Sequence, residues 1–105
     1  MSTGDGSAQD GETSVRRRIT ILNHRGLHAR AAAKFATAAG GFEAKIWVTR
    51  GELTVSGLSI MGLMMLAAAP GSDVELVANG PDAVAAIDAL STLIANKFEE
   101  DMNGA

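Results

Sequence analysis

Residues Phe42 to Val48, "FEAKIWV", alternate strictly. Phe42, Ala44, Ile46 and Val48 fall on one side, and Glu43, Lys45 and Trp47, continued by Thr49, fall on the other. A period of two is the signature of a strand with one face in the core and one face in water. "DVELVA" repeats it through Val74, Leu76 and Ala78, and "RRITILN" (Arg17 to Asn23) through Ile19 and Ile21, opposed by Arg18 and Thr20. "TRGE" reads as a turn and "LTVS" as the return strand of a hairpin, with Leu53 and Val55 inward. A sheet wet on one face must carry its helices on the other, which makes an antiparallel sheet the expected arrangement.

The helices follow from composition and punctuation. "HARAAAKFATAAGG" is helical and ends at Gly40-Gly41, which is expected to act as its C-terminal cap. "SIMGLMML" opens on Ser59 in N-cap position and gives a helix of about two turns. "NGPDAVAAIDALSTLIANKFEED" places Pro81 or Asp82 in a first turn, and Ala83, Ile87, Leu90, Ile94 and Phe98 form one apolar stripe at helical spacing. The order is therefore β-α-β-β-α-β-α in an α+β, open-faced two-layer sandwich. The chain has 105 residues, enough for one domain. Residues 1–15 are rich in Gly, Ser, Thr, Asp and Gln and are expected to be a disordered tail, followed by a domain over 16–100 and a frayed end over 101–105.

Composition excludes several classes of function. The net charge of -3 opposes general nucleic-acid binding, and Arg16-Arg17-Arg18 is the single basic cluster. With no cysteine, disulfide scaffolds, thiolate metal sites and cysteine nucleophiles are excluded. The longest apolar stretch, Leu58 to Pro70, is too short to span a bilayer, and the acidic N-terminus lacks the features of a secretory signal. A cytoplasmic location is expected.

The chemistry concentrates in "NHRGLHARAAA", Asn23 to Ala33. His28 stands where the loop hands over to the first helix, whose unpaired amides and positive dipole end suit a phosphate. The same field disfavours an imidazolium and leaves a ring nitrogen free to attack. Gly26 permits a positive φ in the loop, and Arg30 can set a guanidinium against phosphate oxygens. His24 and His28 are four apart, but Gly26 separates them in a loop and neither Cys nor a third His completes a metal shell. A phosphorylatable histidine fits better than hydrolysis or metal binding. Ser59 is the second candidate, since a phosphate at a helix N-cap meets the dipole favourably. Ile60 to Leu66 are too apolar for a surface helix with one buried face, so exposed methionines and a docking surface are expected.

At "GLHARAAAKF" together with "SIMGLMML" the sequence resembles the histidine-containing phosphocarrier (HPr) family of the phosphoenolpyruvate-dependent phosphotransferase system, over about residues 16–100. The resemblance implies a four-stranded antiparallel sheet of order 1-4-2-3 covered on one face by three helices. It implies a relay protein, not an independent enzyme, with no cofactor. Enzyme I, charged by phosphoenolpyruvate, would phosphorylate His28 on Nδ1, and the phosphoryl group would pass to EIIA-type proteins. Arg30 matches the arginine that steadies the group. Ser59 matches the serine that a dedicated ATP-dependent kinase/phosphorylase modifies in some bacteria. Ala29, Ala33, Thr37 and Gly40, with Ile60, Met61, Met64 and Met65, map to the partner-docking face of a monomer. The alternative that the resemblance implies is a regulatory binding module of a nitrogen-type branch, whose phosphorylation state controls target proteins without sugar transport. One departure stands out: the family usually has proline where this chain has Ala31, which adds a backbone N–H at the helix start.

Overall fold

The structure, a computed structural model, describes residues 14–99. Strands β1 (Ser14–Thr20), β2 (Lys45–Arg50), β3 (Leu53–Ser56) and β4 (Asp73–Asn79) alternate with helices α1 (Ala29–Ala39), α2 (Ile60–Met65) and α3 (Ala83–Ala95), and a 3₁₀ turn follows at Lys97–Glu99. The strands form one antiparallel sheet of order β1-β4-β2-β3. Its register sets the helix-facing residues in rows. Ala78 lies between Val15 and Ile46, and Leu76 between Arg17 and Val48.

All three helices cover that face. The core they close comprises Phe35 from α1, Leu63 from α2, Ile87, Leu90 and Ile94 from α3, and Ile46, Val48, Val74 and Leu76 from the sheet. The other face is polar and tied by side chains: Arg16 Nη1 to Glu75 Oε1 at 2.8 Å, Thr20 Oγ1 to Asp73 Oδ1 at 2.6 Å, and Thr49 to Thr54 at 2.7 Å. The alternation therefore separates the three arginines. Arg16 and Arg18 lie on the open face, while Arg17 turns to the helix side and reaches Asp88 and Ser91 of α3 at 3.1 Å each. They do not form a basic patch.

The structure corrects several boundaries. The first strand starts three residues before Arg17, because β4 extends to Asn79 and pairs back to Ser14. Ser14 and Val15 thus belong to the sheet rather than to the tail, while 1–13 and 100–105 lie outside the described residues. Past Thr20 the chain keeps two bonds, Ile21 N–H to Ser72 O and Gly71 N–H to Ile21 O, then leaves the ladder. β2 begins at Lys45; Phe42 and Ala44 still pack on the core from the preceding turn. Leu53 is 40% exposed, not inward-buried, because it opens the outermost strand opposite Arg50, beyond the helix cover. Gly40 caps α1 in a right-handed conformation (φ -68°), so its left-handed freedom is unused.

α3 begins one residue beyond Asp82. The carboxylate does not cap the helix but accepts the Glu43 N–H at 2.8 Å, joining the β2 approach to the α3 start. At the other end the apolar stripe outlasts the helix. α3 stops at Ala95, and Lys97, Phe98 and Glu99 take φ of 58°, 53° and 65°. That left-handed turn still delivers Phe98 into the core.

Candidate functional site

The site is built on the crossing from β1 to α1. Asn23 is fully buried there, and its Nδ2 donates to Gly26 O at 2.8 Å. Gly26 has φ +67°, and a Cβ on it would come within 2.4 Å of Ala68 O. Glycine is required on both counts. The Leu27 N–H donates to that same Ala68 oxygen at 2.9 Å, so the loop before α2's return strand braces the histidine loop. The His28 N–H closes the turn on Gly26 O at 2.9 Å.

Held this way, His28 is the N-cap of α1. Its backbone is extended, its carbonyl accepts the Ala32 N–H at 2.8 Å, and its Nδ1 accepts the Arg30 N–H at 3.3 Å. An Nδ1 that accepts has its lone pair in the plane of the ring and no proton. α1 has no acidic residue in its first turn, so no carboxylate opposes an anion at this end. Arg30 is exposed, and its side chain lines a groove with Ala33, Lys34, Thr37, Ala38, Leu93 and Glu99. Its guanidinium has no partner among the described residues, and is available to a ligand. His24 is exposed in the loop.

Ser59 is the N-cap of α2, as its place before the apolar run predicts. Its Oγ accepts the Gly62 N–H at 2.9 Å and its carbonyl accepts the Leu63 N–H at 2.9 Å. Gly62 is small for a reason: a Cβ would sit 3.0 Å from both Ser59 Oγ and Val55 Cβ. α2 buries Leu63, with Leu66 buried just beyond it, and leaves Ile60, Met61, Met64 and Met65 exposed, Met61 at 71%. α2 packs against α1, and Ala29, Ala33, Thr37 and Gly40 are spaced along one side of that helix.

Similarity to known proteins shows the family of the chain. The family model PTS-HPr, described as "PTS HPr component phosphorylation site", matches residues 15–96. The chain belongs to the HPr family. Phosphocarrier protein HPr of Treponema pallidum (strain Nichols) is 48% identical over 79% of this chain and 94% of its own length. Phosphocarrier protein NPr of Shewanella violacea is 44% identical over 84% of this chain and 97% of its own. Among solved structures, HPr-C-His from Thermoanaerobacter tengcongensis superposes with a TM-score of 0.79 at 44% identity, covering 82% of this chain and 97% of that one. The sheet order and helix placement expected of an HPr are those observed, and the general role is that of a phosphotransferase-system phosphocarrier.

Three positions of this chain carry geometry that the sequence pattern does not signal. Asn23 lies within "NHRGLHARAAA", yet nothing in a single polar residue signals that it will be buried and stitch the loop. Ala68 contributes only a carbonyl, which no side-chain pattern reveals. Leu58 is 58% exposed and sits beside Gly40, where a Cβ would lie 3.8 Å from its Cδ2. Its signal was available: an apolar residue between Gly57 and Ser59 belongs to neither alternation nor helical stripe.

Proposed function

We propose that this protein accepts a phosphoryl group on His28 Nδ1 from enzyme I, charged by phosphoenolpyruvate, and passes it to EIIA-type proteins. The observation that carries the reading is the Nδ1 lone pair, held at the start of α1 by the Arg30 N–H at 3.3 Å. That hydrogen bond is long and therefore weak, so the nitrogen is oriented without being committed. Nδ1 attacks the phosphorus on the donor's histidine. The new N–P bond forms as the donor's N–P bond breaks, and the bonding pair returns to the donor nitrogen. The PO₃ unit alone moves, and the reverse displacement hands it to the acceptor. The freed Arg30 N–H and the dipole of α1 then face the phosphoryl oxygens, and the Arg30 guanidinium closes on them from its groove.

Docking uses the surface formed by Ala29, Ala33, Thr37 and Gly40 with Ile60, Met61, Met64 and Met65, to which we add Leu58. Unbranched thioether side chains adapt to several partners in turn, which a relay needs. A kinase/phosphorylase acting on Ser59 would place a dianion beside this surface and regulate it. The protein works as a cytoplasmic monomer; among the described residues no helix is long and apolar enough to cross a membrane. The decisive experiment combines the protein with phosphoenolpyruvate and enzyme I. Acid-labile label is expected in the wild type and absent in His28→Ala; label that persists in the folded variant overturns His28 as the acceptor.

A further inference from the structure

We infer that Arg50 is a positioning residue for phosphoryl transfer, acting on the loop of His28 through the turn that ends α2. The inference rests on the proposal that His28 carries the phosphoryl group, and goes beyond it. Arg50 closes β2 at the hairpin turn, opposite Leu53. Its Nη1 donates to Leu66 O, sixteen residues on, at 3.1 Å. Leu66 is the C-cap of α2, and its carbonyl is among those that a helix end leaves without a helical partner. Two others near that end, Leu63 O and Met64 O, accept the N–H groups of Leu66 at 3.3 Å and Ala67 at 3.0 Å. A helix of six residues does not hold its own ends, so α2 is pinned at its start by Ser59 and at its finish by Arg50.

The residue after Leu66 gives that pin a second task. Ala67 has φ +51°, and outside Lys97–Glu99 it is the only non-glycine residue with a positive φ among the described residues. An L-residue keeps this conformation only where its surroundings impose it. Two hydrogen bonds flank it: Arg50 holds the carbonyl before it, and the Leu27 N–H holds Ala68 O after it at 2.9 Å. Leu27 directly precedes His28, so the strained turn stands between the end of the α2 helix and the reactive loop. Without Arg50 on Leu66 O, Ala67 relaxes toward negative φ and carries Ala68 O away from Leu27. The loop then loses its brace, and Nδ1 is no longer held in line for attack. The start of α2, with its exposed methionines, stays fixed by the Ser59 cap and by buried Leu63. Arg50 therefore governs the rate within the docked complex, and docking itself much less.

The test measures single-turnover transfer from phospho-enzyme I to the full-length protein. Arg50 is exposed, so Arg50→Ala removes no core packing. That variant is expected to lower the maximal rate about tenfold, while the protein concentration giving half that rate changes less than about twofold. Hydrogen exchange at the Leu27 amide is expected to quicken about tenfold with it. Adding Ala67→Gly, which takes a positive φ freely, is expected to return both readouts to within about threefold of the wild type. A maximal rate that holds while the half-maximal concentration rises makes Arg50 a steering charge and overturns the inference. Wild-type rate and Leu27 exchange in Arg50→Ala overturn it too, as does a rate loss that Ala67→Gly leaves in place. In each of those results His28 still takes up the phosphoryl group, and the carrier reading stands. Failure of His28 to take it up in the wild type overturns the carrier reading, and this inference with it.

Discussion

Gly26 concentrates the constraints on the reactive loop into one residue. Its φ of +67° is left-handed, and the space a side chain would fill is already occupied by Ala68 O, which also receives the Leu27 N–H. Any L-residue here must bear the left-handed strain, about 1–2 kcal/mol, and push away the carbonyl that braces the loop. Gly26→Ala is expected to cost more than about 2 kcal/mol in urea unfolding and to slow His28 phosphorylation in the fraction that stays folded. A wild-type rate and midpoint would show that the loop is not braced through this contact. Gly62 has the milder version of the problem. Its Cβ position is 3.0 Å from Ser59 Oγ, so Gly62→Ala should weaken the α2 cap by about 1 kcal/mol, visible as a lower melting temperature.

At the level of elements, the proposed docking face lies on the pair α1 and α2. Its exposed methionines contribute little to folding, since the buried side of α2 is carried by Leu63 and, just past its end, Leu66. Replacing Met61 and Met65 with serine should therefore leave stability within about 0.5 kcal/mol while reducing enzyme I affinity at least about fivefold. Titration calorimetry against enzyme I checks the second number and a melting curve the first. Ser59→Asp separates cap from charge. Aspartate caps a helix about as well as serine, so the fold should hold, yet the added negative charge beside the docking face should slow phosphorylation of His28 about tenfold. An unchanged rate would remove Ser59 from any inhibitory role.

Over the whole molecule, the sheet and helices leave one closure to a single side chain. Phe98 enters the core after α3 has ended, carried by three consecutive left-handed residues. Lys34 Nζ donates to Phe98 O at 2.9 Å and lies 3.7 Å from Glu99 Oε1, which fastens this turn to α1. Phe98→Ala should lower stability by about 3–5 kcal/mol, read as a lower urea midpoint with an unchanged slope. The layers of this architecture were legible because alternation in three strands and the stripe Ala83-Ile87-Leu90-Ile94 each permit one buried face. The place of His28 at the start of α1 and the Ser59 cap were legible because helix starts are signalled locally in sequence. The bracing of Gly26 by Ala68, the diversion of Asp82 to the Glu43 amide and the turn at Lys97–Glu99 were not. Each depends on a main-chain group brought close by tertiary folding, and side-chain patterns do not encode where a carbonyl will arrive.

β1 starts at Ser14 and runs toward the histidine loop, so its two ends lie about 20 Å apart along the strand. Ser14 stands at the far corner of the sheet, on the edge strand β1. A fluorophore or affinity handle attached at Ser14 stands clear of the ring of His28. Immobilised by that end on a sensor chip, the protein would turn its reactive loop outward, and successive donors and acceptors could be passed over one oriented layer.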